Sequence, residues 1–135
     1  MTPGAPPPEP APRLYEYRLP GEWTVLAGRT DADNDVLSIT LAAPDDWWFH
    51  VRGVPGSHVV LRAKPDETPD RETLRLAAAI AAYHSKARNA GVVPVACTQA
   101  KYVTKPRGAK PGTVQIRKET LIKVRPALPV PDSGD

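Results

Sequence analysis

One segment of this chain, from Thr68 to about Asn89, has the composition and spacing of a long α-helix, and short β-prone runs lie on both sides of it. Thr68 suits the N-cap, Pro69 the first helical position, and Asp70 and Glu72 complement the positive end of the helix dipole. Leu74, Ala77, Ala78, Ala81 and Ser85 recur at i, i+3, i+4 spacing, so small side chains line one face and let the helix lie close on a sheet. Gly91 is placed to stop it, with His84, Lys86 and Arg88 in its last turn.

The β-prone runs read as hairpins. Trp23–Thr30 and Val36–Ala42 flank Asp31-Ala32-Asp33-Asn34-Asp35, whose residues favour a turn. Trp47–Arg52 and His58–Arg62 flank a bend carrying Pro55-Gly56. Pro94–Thr98, Lys101–Thr104, Gly112–Arg117 and Leu121–Val124 read as further strands. The expected fold is α+β: a mainly antiparallel sheet with one long helix packed across a face.

The ends differ from this body. Six prolines fall in residues 1–12 and three in 126–135, so both stretches read as disordered tails around a single domain of about residues 13–125. Residues 1–12 hold no Lys, no Arg and no apolar run, so neither a signal nor a transit peptide is expected there, and no stretch approaches the length of a membrane span. The single cysteine, Cys97, excludes an internal disulfide and fits a reducing cytoplasm, and its apolar strand makes it a buried, inert thiol.

Charge divides the chain. Residues 1–60 carry four arginines against eight acidic residues, whereas residues 84–125 carry ten cations against Glu119 alone. Clustered cations attract a polyanion, though a solvated basic face would look the same. The densest cluster is the loop Lys105–Gly112, which with Lys101 places four cations, Lys101, Lys105, Arg107 and Lys110, in ten residues. Its two prolines restrict it, so it would lose little entropy on gripping a phosphate backbone.

In Asp46-Trp47-Trp48-Phe49-His50-Val51-Arg52, strand alternation puts Trp48, His50 and Arg52 on one side and Trp47, Phe49 and Val51 on the other. One set can build the core while Trp48, His50 and Arg52 are presented outward to stack on bases and contact phosphates. Both tryptophans in the core is the alternative. The bend at Gly56 and Ser57, with His58 after it, can cradle a phosphate oxygen through a hydroxyl and backbone N–H groups. It lacks the spaced glycine and Lys-Ser/Thr pair of a P-loop, and no Gly-x-Ser-x-Gly elbow supports a Ser57 nucleophile. His50, His58 and His84 show no zinc-ligand spacing, so no metal or other cofactor is expected.

Five segments, taken together, resemble the NFACT-R domain, the RNA-binding portion of the Rqc2/RqcH and fibronectin-binding-protein-A-like family. They are Gly28-Arg29-Thr30 with Asn34-Asp35 (Thr30 standing where the family has Asn), Asp46–His50, Val54–Arg62, the alanine-rich helix ending Ser85-Lys86-Ala87-Arg88, and Val103–Gly112. The resemblance implies a non-enzymatic module binding tRNA or ribosomal RNA, linked to ribosome-associated quality control of translation. Its other domains do not fit in 135 residues, so a stand-alone version is expected. The implied contacts are Lys101, Lys105, Arg107 and Lys110 on phosphates, Lys86 and Arg88 extending that track, and Trp48, His50 and His58 stacking or hydrogen bonding. From the residues alone, DNA could bind the same basic surface. A protein-interaction adaptor, using exposed aromatics and the proline-rich tails, is the alternative.

Overall fold

The structure is a computed structural model, and it describes residues 11–130. The tail expected over residues 1–12 lies almost wholly outside the described part. Among the described residues eight strands form: β1 (Leu14–Leu19), β2 (Trp23–Gly28), β3 (Trp47–Val51), β4 (Val59–Leu61), β5 (Val93–Gln99), β6 (Val103–Thr104), β7 (Gln115–Ile116) and β8 (Thr120–Val124). Six of them make one sheet in the order β1-β2-β4-β3-β5-β8, with every neighbouring pair antiparallel. β6 and β7 pair separately as a short antiparallel ribbon.

Alternation along the strands sorts the side chains into two cores. On one face Trp23, Val25, Ala27, Phe49, Val51, Val59, Leu61, Val95 and Cys97 meet the alanine-rich helix α2 (Arg71–Tyr83). Ala77, Ala78, Ala81 and Ala82 are fully buried there, and their small volume is what lets the helix lie close to the sheet. On the opposite face Trp48 and Val60 pack with Leu37 and Val103, and Ile116 of the ribbon covers them. The central strand β4 is therefore buried on both sides, and Val59, Val60 and Leu61 are all inaccessible.

That second core overturns two expectations. Residues 31–41 do not form a turn and a strand; they form α1 (Asp31–Asp35), which runs into a π-helical turn over Val36–Leu41. Thr30 caps α1, its Oγ1 accepting from Asp33 N at 3.1 Å and donating to Asp33 Oδ2 at 2.8 Å. The wider turn closes with Ala42 N donating to Leu37 O at 2.9 Å, a five-residue step. Burial of Leu37 and Ser38 against the sheet outweighs the β preference of the Val36–Leu41 alternation.

The helix is also shorter at both ends than the sequence pattern. Asp70, rather than Thr68, is its N-cap, accepting from Thr73 N at 2.8 Å. It ends at Tyr83 because the next residues pair with the bend after β3: Ser57 N donates to His84 O at 2.9 Å and Lys86 N to Pro55 O at 3.0 Å. Gly56 and Ser85 form a β-bridge there, and a Cβ on Gly56 would come within 2.7 Å of Ser85 Cβ. This pairing overrides the helical preference of residues 84–89.

After β8 the chain stays on the body at Ala127 and Leu128, and residues 131–135 of the expected tail lie outside the described residues. Ala127 N donates to Ala79 O at 3.2 Å, and Leu128 packs against the helix-side core. Among the described residues no helix is long and apolar enough to cross a membrane.

Candidate nucleic-acid interface

The side chains singled out from the sequence separate into an interior network and an exterior groove. The interior network centres on Ser38 Oγ. Trp48 Nε1 donates to it at 2.8 Å, and it lies 2.8 Å from His58 Nδ1. His58 Nε2 reaches Gly112 O at 3.2 Å. A carbonyl only accepts, so the contact with Gly112 O fixes the hydrogen of the neutral ring on Nε2 and leaves Nδ1 to accept from Ser38 Oγ, which itself accepts from the Trp48 indole N–H. Asp35 continues the network, accepting from Gly112 N at 3.0 Å and pairing with Lys105 Nζ at 3.2 Å.

Trp48 and His58 are each only 2% exposed, which corrects the expectation that they stack on bases. The alternation does place Trp48 and Phe49 on opposite faces; the Trp48 face is simply covered as well, by the π-helical turn and the ribbon. Burial lowers the pKa of His58 to about 4, with the neighbouring His50 adding to the shift, so the ring is neutral at physiological pH. His50 is half-buried, its ring 5.5 Å from His58 and 6.0 Å from Trp48, and desolvation lowers its pKa too.

The bend does not offer its donors to a ligand. Ser57 Oγ donates to Gly28 O at 2.6 Å, Ser57 N to His84 O, and His58 N to Asn34 Oδ1 at 3.0 Å. The expected phosphate cradle is thus occupied by the protein itself. Gly28 is required for it, because a Cβ there would meet Asn34 Oδ1 at 2.0 Å. Asp46, in the segment that carries the family resemblance, is likewise buried, accepting from Ala43 N, Ala63 N and Arg62.

The basic loop divides in the same way. Lys105 is turned inward, donating to Lys110 O at 2.6 Å and Thr113 O at 3.0 Å while paired with Asp35. Lys101 pairs with Asp45 and Arg52 with Glu119, both at 3.2 Å. Arg107 and Lys110 are exposed and, among the described residues, form no ion pair.

The exterior groove opens where the bend meets the segment after α2. It has a volume of 360 Å³ and is lined by residues including Tyr15, Arg29, Gly56, His84, Lys86 and Arg88. Tyr15 stacks on His84 with ring centroids 4.4 Å apart and planes 12° from parallel. The Arg29 guanidinium lies over Tyr15 at 4.8 Å, and that of Arg88 over Tyr83 at 4.0 Å. His84 Nε2 is 2.5 Å from Tyr17 Oη, and burial, with the Arg88 charge second, lowers its pKa. Arg29, Lys86 and Arg88 have no acidic partner within ion-pair distance among the described residues.

Sequence reasoning singled out Gly56, Ser57, Lys86 and Arg88, which the fold brings together here, but missed Tyr15 and Arg29. In the sequence Arg29 stands out only within Gly28-Arg29-Thr30, a segment that carries the family resemblance. Nothing local to Leu14–Leu19 shows that Tyr15 meets His84, since only the pairing of β1 with β2 brings it there.

The comparisons agree with this architecture. The family described as the NFACT protein RNA binding domain matches residues 13–118. Rqc2 homolog RqcH of Bacillus subtilis (strain 168) is 42% identical over 115 residues, covering 85% of this chain and 20% of that protein. Its counterpart from Streptococcus suis is 40% identical over 106 residues, covering 78% of this chain and 19% of that protein. The chain thus spans about a fifth of the length of these curated relatives. A solved structure, the C-terminal part of the fibronectin/fibrinogen-binding protein from Streptococcus suis, superposes with a TM-score of 0.78 at 36% identity, covering 89% of this chain and 47% of that one. With its sheet, its motif segments and its matched span in agreement, this chain belongs to the family of NFACT protein RNA-binding domains.

Proposed function

We propose that this protein is a non-enzymatic module that binds structured RNA, tRNA or ribosomal RNA, through the groove between the Gly56 bend and the Lys86–Arg88 segment. One observation carries the reading: Arg29, Lys86 and Arg88 gather beside the exposed Tyr15 and the Tyr15–His84 stack, outnumber the single acid in the groove's lining, Asp31, and among the described residues form no ion pair. Unpaired guanidinium and ammonium groups beside aromatic faces suit a nucleic-acid backbone and its unstacked bases. Arg107 and Lys110 extend the basic surface. Phosphate contacts read no sequence, so the choice of RNA over DNA rests on the family. A role beside the ribosome in quality control of translation, within the cytoplasm, is supported by the same relationship.

The non-enzymatic reading is supported by the state of the side chains that could do chemistry. Ser38 and His58 form a hydroxyl–imidazole pair, but Ser38 is 4% exposed and its hydrogen bonds are spent on the core. Burial pushes the Cys97 thiol up to about 12, far from a reactive thiolate.

Reversing two charges tests the groove. Lys86→Glu with Arg88→Glu is expected to weaken binding to tRNA at least tenfold at ~100 mM salt, because two attractive phosphate contacts become repulsive. Wild-type affinity in that variant, with an unchanged melting temperature, would remove the groove from the interface.

A further inference from the structure

A second basic surface lies at the far end of the sheet from the groove. The groove sits where β2 ends and β4 begins, at the level of the Ala27–Val59 pair. The second surface lies beyond the Trp47–Gln99 pair, where β5 leaves the sheet through a 3₁₀ turn over Ala100–Tyr102. Three cations surround the half-buried Tyr102 ring: Lys118 at 5.3 Å, Lys101 at 5.7 Å and Arg117 at 5.9 Å from its centroid.

Two features separate this corner from an ordinary solvated charge run. Its cations are under-neutralised: Asp45 pairs with Lys101, but the adjacent acid, Glu119, is engaged by Arg52 at 3.2 Å. Arg117 and Lys118 have no ion-pair partner among the described residues, although both stand in the field of Lys101. The corner is also held in place. Arg117 N donates to Tyr102 O at 3.0 Å, and Thr98 Oγ1 donates to Arg117 O at 2.7 Å. Lys118 occupies the left-handed region at φ 57°, a conformation costly for lysine, and so turns the chain sharply into β8. Like charges fixed beside one ring raise each other's energy, and an anion placed among them relieves that repulsion.

We propose that Tyr102, Arg117 and Lys118 form a second contact surface for the phosphate backbone of RNA, so that one bound RNA spans the domain from the groove to this corner. The proposal rests on the RNA-binding reading and adds a footprint to it. A fixed corner loses less entropy on binding than free lysines do, and its phosphate contact adds to the groove's without changing what the groove recognises. Tyr102 presents a half-buried ring to the same site, where a nucleobase or sugar could rest against it.

The test is the variant Arg117→Gln with Lys118→Asn, which removes both charges while giving residue 118 a side chain that tolerates a positive φ. Wild-type protein and variant are titrated with tRNA across a salt series, and both are melted to verify the fold. The expected result is roughly tenfold weaker binding at ~100 mM salt and a salt slope shallower by about two. Combined with Lys86→Gln and Arg88→Gln, the losses should add on a logarithmic scale, as they do for distant sites. If the fold of the double variant is disturbed, Lys118→Asn alone serves, with a slope change of about one expected. Wild-type affinity and slope in a folded variant overturn the second surface while leaving the RNA reading standing. Failure of the wild-type protein to bind tRNA removes both.

Discussion

The hydroxyl of Ser38 and the imidazole of His58 meet at 2.8 Å inside the second core, where Ser38 also receives the indole N–H of Trp48. This contact fastens the π-helical turn to the sheet. It also explains why Trp48 is not presented as an open stacking surface on that face.

Ser38→Ala tests that fastening. The change leaves the Trp48 N–H and the His58 Nδ1 lone pair buried without partners, at a cost of about 2–3 kcal/mol. Urea denaturation should show the loss as a lower midpoint with an unchanged slope. A shift below about 0.5 kcal/mol, the range of an ordinary surface substitution, would show that the network contributes little.

Stability should depend on pH through His58. Its folded pKa of about 4 lies below the ordinary histidine value of 6.5, so the unfolded chain takes up this proton first as pH falls. The stabilisation is complete above pH 6.5 and is lost progressively between about 6.5 and 4, by roughly 3 kcal/mol for this residue. His50 and His84, also lowered by burial, act in the same direction. Denaturation midpoints at pH 7.5, 5.5 and 4.5 check this: the wild type should weaken more steeply than His58→Gln, and parallel curves would contradict the assignment.

Lys105 and Arg107, two residues apart in one basic loop, should behave differently. Lys105→Ala removes a side chain that holds Lys110 O, Thr113 O and Asp35, and should lower stability by about 1–2 kcal/mol. Arg107→Ala should stay within about 0.5 kcal/mol of wild type and act on RNA binding alone. Paired melting curves and tRNA titrations separate the two effects. Equal stability losses would mean that the loop is not organised around Lys105.

Gly56→Ala should damage the groove through its floor. The new methyl would sit 2.7 Å from Ser85 Cβ and 3.1 Å from Ser85 Cα, forcing apart the bend and the segment carrying Lys86 and Arg88. A stability loss of about 1–3 kcal/mol is expected from such overpacking. Binding to tRNA should fall beyond what the unfolded fraction explains. Full affinity in the folded fraction would show that the bridge does not position those cations.

The sheet was largely legible because strand alternation records which face each residue occupies. Trp47–Arg52 announced its two faces correctly, and the alanine row of α2 announced a close helix–sheet contact. What the sequence could not display was the second cover. Val36–Leu41 carries a strand's alternation, and only the buried positions of Leu37 and Ser38 on the sheet make it helical. The helix end was illegible for a similar reason, since residues 84–89 favour helix until the bend at Gly56 offers a competing partner. The candidate site was half legible. Charge clustering marked Lys86 and Arg88, but did not separate the inward Lys105 from the outward Arg107, nor bring Tyr15 to His84 or Arg117 to Tyr102.

The central claim is that this domain holds RNA chiefly by phosphate contacts from its unpaired cations. A salt series of binding to tRNA, with a duplex DNA of equal charge alongside, tests it most directly. Roughly four to six contacts predict a log–log slope near −3 to −5, with tighter binding to tRNA than to the duplex. No binding to tRNA at ~50 mM salt, where such contacts are strong, would contradict the account.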